Sequence, residues 1–137
     1  MGNKQATRPR AWLVRGSKDA RLNQWMLNKG FTGVDFREVN DLSGVNDLQS
    51  MREFVAGQMP GEKEGAVGNY AAQLNAFANK ISEGDIVVLP MTEDGVLAIG
   101  TVTGSYQYLP NSDGLRHVRT AEWNRVDVPR ASISQDL

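Results

Sequence analysis

The sequence predicts an α+β fold in which about three helices flank a twisted antiparallel β-barrel. Three observations lead to this class. Segments with helical spacing of apolar residues and cap residues fill the first half, a continuous apolar run marks a buried strand at 86–90, and short β-prone segments separated by turn residues fill the rest. With 137 residues, 40% hydrophobic and 23% charged, the chain is long enough for one ordinary core.

Strands and helices alternate in the first half. A short β-prone segment, residues 11–14, precedes a helix over 20–28, which Ser17 or Asp19 can cap and Gly30 ends.

A strand over 31–39 and a helix over 48–58 follow, with Asn46 or Asp47 as the cap. A glycine-rich loop at 61–68 then leads into a third helix.

The second half is predicted as that third helix and a run of strands. The helix covers 69–80, and turn residues 93–95 join the strand at 86–90 to a returning strand at 96–103. Two further strands fit 105–109 and 115–123. Residues 1–10 are predicted as a disordered basic tail and residues 11–137 as one domain.

Composition excludes several classes of site. The chain has no Cys and one His, which argues against disulfides, thiolate zinc sites and histidine metal clusters, so we expect no metal and no cofactor. The longest uncharged apolar run, 86–91, is far shorter than the roughly 20 residues that a membrane span needs. No apolar signal follows Met1, and we expect a cytoplasmic protein.

The net charge of -1 hides an uneven distribution. Residues 1–37 hold eight Lys or Arg against two Asp, residues 38–100 hold three basic against ten acidic residues, and residues 101–137 hold four of each. A basic N-terminal third is compatible with a polyanion partner, although a solvated basic face also explains it.

Aromatic side chains and amides suggest a site for a planar base. Aromatic faces can stack on a base while amides read its edge. Asn69 and Gln73 are one helical turn apart and can face the same cavity, unless Asn69 merely caps its helix. The aromatic candidates, which can instead be core residues, are Trp12, Phe36, Tyr70, Tyr106, Tyr108 and Trp123.

His117 offers a competing interpretation. It lies on a predicted strand, where a lone histidine is typically a hydrogen-bonded structural residue, but it could also serve a small-molecule sensor or hydrolase. No second catalytic group can be named beside it from the sequence.

Several short motifs, in order and in register, resemble the N-terminal domain of Mrr-type restriction endonucleases. The same pattern is similar to the EVE and YTH domains of the PUA superfamily. The motifs are Trp-Leu-Val-Arg-Gly at 12–16, Gly-Ala-Val-Gly-Asn-Tyr-Ala-Ala-Gln-Leu at 65–74, Gly-Asp-Ile-Val-Val-Leu-Pro at 84–90, Ile-Gly-Thr-Val-Thr-Gly-Ser-Tyr at 99–106, His-Val-Arg at 117–119, Glu-Trp at 122–123 and Val-Pro-Arg at 128–130.

The resemblance implies a PUA-like barrel that binds DNA and reads a modified base flipped into an aromatic pocket. Such a domain is no enzyme itself but directs a nuclease domain of the same polypeptide. The expected pocket residues are Trp12, Arg15, Phe36, Val67, Gly68, Asn69, Gln73 and Tyr106, and the expected phosphate contacts are Arg8, Arg10 and Lys18, with Arg15 as a further candidate.

This sequence departs from the resemblance at two points. Phe36 stands where related domains have a Trp, and the catalytic PD-(D/E)xK signature of the endonucleases is absent from the 137 residues. An RNA reader of methylated adenosine is the alternative from the same superfamily, and a contact to a ribose 2′-hydroxyl would distinguish it.

Overall fold

The computed structural model describes residues 8–91 and 95–131, which form three α-helices, one π-helix and six strands. The elements are β1 Ala11–Leu13, α1 Ala20–Lys29, β2 Phe31–Val34, α2 Leu48–Gln58, α3 Glu64–Asn75, the π-helix Ala76–Lys80, β3 Ile86–Pro90, β4 Val96–Val102, β5 Gln107–Tyr108 and β6 His117–Pro129. The predicted α+β class with three helices is confirmed.

The strands form one strongly curled sheet in the order β1-β3-β4-β6-β2, with β5 paired to β6. The 13-residue β6 changes partners along its length, and register shifts against β4 at Leu97, Ile99 and Gly100 mark bulges. Bulges bend and twist a strand pair, so the sheet curls into a half-barrel.

The predicted antiparallel pairing is wrong at one position, because β1 runs parallel to β3. Parallel neighbours require a long crossover, and here the three α-helices, the π-helix and β2 lie between the two strands. The sheet is therefore mixed.

Cap residues set the ends of α1 and α2 as predicted. The Asp19 carboxylate accepts a hydrogen bond from the Arg21 amide, and Gly30 ends α1 in the left-handed conformation. The Asp47 carboxylate accepts from the Ser50 amide at the start of α2.

The predicted start of α3 is wrong by five residues. The helix begins at Glu64, and Lys63 is its cap residue without a side-chain hydrogen bond. Val67 is buried in the cluster with Met51 and Val55 of α2, so packing outweighs the low helix propensity of the glycines. Asn69 therefore lies inside the helix and does not cap it.

The buried residues form three clusters. One lies between α2, α3 and residues 39–42, one joins the π-helix to the inner face of the sheet through Phe77, and one surrounds Met26 of α1. Trp123 is a packing residue whose indole N–H donates to the carbonyls of Met26 and Phe31.

A buried arginine fixes the π-helix. The Arg119 guanidinium donates to the carbonyl oxygens of Phe77 and Ile81 and to that of Gly104 at 2.9 Å. Burial lowers its pKa, although the nearby carboxylates of Glu83 and Asp85 act in the opposite direction.

Among the described residues, no helix has both the length and the apolar character needed to cross a membrane. The same residues contain no group of three or more His, Asp or Glu side chains that could hold a metal ion. Residues 1–7 of the predicted tail at 1–10 and residues 93–94 of the predicted turn at 93–95 lie outside the described residues.

Candidate functional site

The two end strands of the sheet meet at a parallel bridge between Gly16 and Val34. Gly16 has a φ of +59°, and a Cβ there would approach the Met26 side chain to 2.4 Å, so the bridge requires glycine. Directly after it, the Ser17 hydroxyl donates to the Asp35 carboxylate at 2.8 Å. These contacts close the half-barrel at one point.

Two cavities adjoin this closure and share Arg15, Val34 and Gln73 in their walls. We call them together the seam cleft. The larger, about 590 Å³, is lined by Arg15, Gly16, Ser17, Lys18, Val34, Asp35, Phe36, Gln73, Pro90, Met91 and Arg130. The smaller, about 320 Å³, is lined by Trp12, Leu13, Val14, Arg15, Val34, Gln73, Ala76, Phe77 and Ile81. The larger lies within the size range of small-ligand sites.

Three cationic side chains line the larger cavity. Arg15, Lys18 and Arg130 are all exposed. Among the described residues, no carboxylate lies at ion-pair distance from any of these three charges.

The wall of the larger cavity also offers one aromatic ring, an amide and a carboxylate. Phe36 is half-buried, with Tyr70 edge-on at 5.5 Å, so its ring is held by packing. The exposed Gln73 amide makes one long hydrogen bond of 3.5 Å to Asn69 and can both donate and accept.

Asp35 contributes a hydrogen-bond acceptor. Its side chain is 25% exposed, and besides Ser17 it accepts from the Arg37 guanidinium at 3.3 Å. A carboxylate has about four acceptor positions, so Asp35 retains capacity for a ligand N–H.

A family model described as a domain of unknown function, DUF8426, matches residues 12–135. The chain belongs to this family. Every residue that lines the seam cleft falls within the matched DUF8426 range. Comparison with curated proteins and with solved structures found no match.

In this DUF8426 domain, five of the predicted site residues line the seam cleft. Arg15 and Gln73 line both cavities, Phe36 and Lys18 line the larger, and Trp12 lines the smaller.

Trp12 is also engaged structurally. Its indole N–H donates to Asp85 at 2.9 Å, and the Arg10 guanidinium lies over its ring at 4.8 Å. One edge of this ring is thus occupied by Asp85 and one face by Arg10.

Val67 and Gly68 lie elsewhere. Both line a separate cavity of about 500 Å³ between α2 and α3, together with Gln49 and Arg52. They are apart from the cleft because α3 begins before them and carries them to the opposite end of the helix from Gln73.

Asn69 and Tyr106 line none of these cavities. Asn69 is exposed and its side-chain oxygen accepts a hydrogen bond from Gln73, whereas the Tyr106 hydroxyl is hydrogen-bonded beneath the surface to Leu42 and His117.

Arg8 and Arg10 lie at the other end of β1. They line a further cavity of about 510 Å³ beside Asp85, and the Arg10 guanidinium donates to the Lys80 carbonyl at 2.8 Å. Both arginines are exposed, but the hydrogen bond to Lys80 engages Arg10 in the fold.

Ser17, Asp35 and Arg130 were not expected at the site from the sequence. The one available signal was the carboxylate of Asp35 between the apolar residues Val34 and Phe36. Nothing local connects these three positions, because they meet only where the ends of β1, β2 and β6 come together.

Proposed function

We propose that this chain is a DNA-binding domain with a PUA-like barrel, and that its seam cleft reads a modified base flipped out of the duplex. The observation that carries the proposal is the lining of the larger cavity, which combines three cationic side chains without an ion pair among the described residues with one aromatic ring, one amide and one carboxylate. In this role the domain performs recognition only and directs a nuclease domain of its own polypeptide in the cytoplasm.

Each part of the cleft matches a part of a nucleotide. Arg15, Lys18 and Arg130 neutralise phosphates flanking the flipped base, with release of counterions. The Phe36 ring stacks on the base, which contributes about 1–3 kcal/mol toward the few kcal/mol that unstacking costs.

Gln73 and Asp35 read the base edge. Asp35 can only accept, so it favours a base with an amino group at that edge, as cytosine and adenine have. Gln73 supplies the complementary donor and acceptor from across the cleft.

The test is binding of short labelled duplexes that differ in one central base: cytosine, methylated cytosine, adenine or methylated adenine, with RNA counterparts. We expect a methylated DNA duplex to bind tightest. Gln73→Ala should weaken its binding by roughly 5- to 150-fold, equivalent to about 1–3 kcal/mol. Phe36→Ala should do the same, with circular dichroism to verify the fold.

Gln49→Ala is the matched control, because Gln49 is an exposed glutamine on α2 that lines the separate helix–helix cavity. Binding of no duplex, or wild-type binding by both cleft variants, would overturn the proposal. Tighter binding of methylated RNA would move the assignment to an RNA reader.

A further inference from the structure

The wall of the seam cleft is held from beneath by two side chains, the buried His117 and the half-buried Tyr106. The imidazole Nε2 lies 2.8 Å from the Val39 carbonyl and 3.2 Å from the Phe36 carbonyl. Its Nδ1 lies 2.7 Å from the Tyr106 hydroxyl, which in turn accepts from the Leu42 amide at 3.1 Å. Together the two side chains bind the backbone of residues 36–42 at three places.

The partners determine where the protons are. Carbonyl oxygens only accept, so Nε2 carries a proton, and the Leu42 amide only donates, so the Tyr106 oxygen accepts from it. The hydroxyl proton is then free to be donated to Nδ1. Every donor and acceptor in this hydrogen-bond network has a partner when the imidazole is neutral.

We infer that His117 and Tyr106 are positioning residues that hold residues 36–42 in the shape the seam cleft needs, and that the cleft binds its base with the His117 imidazole neutral. The inference rests on the proposed function. It follows from the placement of Phe36, whose ring faces the cleft while its carbonyl oxygen is bound to His117.

A proton on Nδ1 would break this arrangement. Nδ1 would become a donor, so the Tyr106 hydroxyl could no longer donate its proton to the imidazole. Burial lowers the pKa of His117 against the opposing effect of its carbonyl contacts, and burial raises the pKa of Tyr106, which keeps its hydroxyl protonated.

Charged and titratable groups of both signs surround the imidazole. Asp41 raises the pKa of His117 and Arg116 lowers it. Tyr108 packs against the ring at 5.2 Å. The other charged groups near the imidazole line a small cavity together with His117 and are Asp35, Arg37 and Asp113.

The experiment uses the single histidine of the chain, whose imidazole NMR signal reports one titration without ambiguity. The pKa of His117 is measured in the free protein and in complex with the methylated DNA duplex that binds tightest. If the cleft binds only with neutral His117, linkage requires that the pKa of His117 is lower in the complex than in the free protein. The affinity for the duplex then falls up to tenfold for each unit by which the pH drops between these two pKa values. The phosphates alone would raise this pKa, so the sign of the change is decisive.

Tyr106→Phe provides a second measurement. It removes the hydrogen bond that favours the neutral imidazole, so the pKa of His117 should rise and the pH at which affinity is lost should rise with it. Tyr108→Phe is the matched control, because within the described residues its hydroxyl has no hydrogen bond to His117. A merely structural role would lower affinity at every pH without moving that midpoint.

The two proposals fail separately. If the duplex binds but the pKa of His117 in the complex is unchanged or higher, this inference is wrong and the proposed function stands. If no nucleic acid binds the wild-type protein, both are wrong.

Discussion

At the scale of single residues, Asp85 is a main anchor of the first strand. Its buried carboxylate accepts hydrogen bonds from the Arg10 amide, the Trp12 indole and the Ser82 amide, at 3.1, 2.9 and 2.9 Å. These bonds tie β1 to the turn before β3 and orient the Trp12 ring that lines the smaller cavity. Burial by itself would raise the pKa of Asp85, but these bonds hold it below its ordinary value of 3.8.

Asp85→Asn should therefore lower the free energy of unfolding by about 1–3 kcal/mol at neutral pH, because an amide group replaces one acceptor oxygen. The fold stabilises the ionised form of the carboxylate. Its contribution to the free energy of unfolding is therefore fully present above pH 3.8 and is lost as the pH falls through the pKa of the folded state. Urea unfolding of both proteins at neutral and at strongly acidic pH measures this. A difference in stability between the two proteins that persists in acid would contradict the stabilising role of the ionised Asp85 carboxylate. Asp127→Asn, a change at an exposed position, is the control.

At the scale of elements, the third helix shows which predictions the sequence supports. The ends of α1 and α2 could be predicted because Asp19, Gly30 and Asp47 act on their own neighbours. The start of α3 could not, because it depends on burial of Val67 against α2. Phe36 and Gln73 could be proposed as site residues because an aromatic ring and an amide are suited to binding a base. Arg130 could not, because its position at the cleft depends on contacts between distant parts of the sequence.

Gly68 allows a direct test of the revised helix. A Cβ there would meet no atom within 4 Å, and its φ is not in the left-handed region. Gly68→Ala should therefore raise the free energy of unfolding by about 0.5–1 kcal/mol and leave DNA affinity unchanged, since Gly68 lies outside the seam cleft.

Thermal unfolding and duplex binding measure the two effects. Gly16→Ala is the contrasting variant, because its positive φ and close contacts predict a loss of stability. If Gly68→Ala weakened binding while stabilising the fold, the backbone of the helix start would belong to the binding site after all.

At the scale of the whole molecule, the fold concentrates cations that the sequence keeps apart. Arg15 and Lys18 come from the basic N-terminal third, while Arg130 comes from a segment with equal numbers of acidic and basic residues. The curled sheet brings the end of β6 beside the end of β1, and all three side chains line one cavity. The net charge of -1 thus gives no indication of the local charge at the cleft.

This arrangement predicts how DNA binding responds to salt. Arg130→Ala should weaken methylated and unmethylated duplexes about equally and reduce the slope of log affinity against log salt concentration by roughly one, because one phosphate contact and its released counterion are lost. Arg125→Ala is the control, since Arg125 lies on β6 just before Arg130, pairs with Asp127 and lines neither cavity of the cleft. Titrations at several salt concentrations measure both slopes. An unchanged slope for Arg130→Ala would remove this residue from the DNA-binding surface, and a selective loss of affinity for the methylated duplex would instead assign it to reading the base.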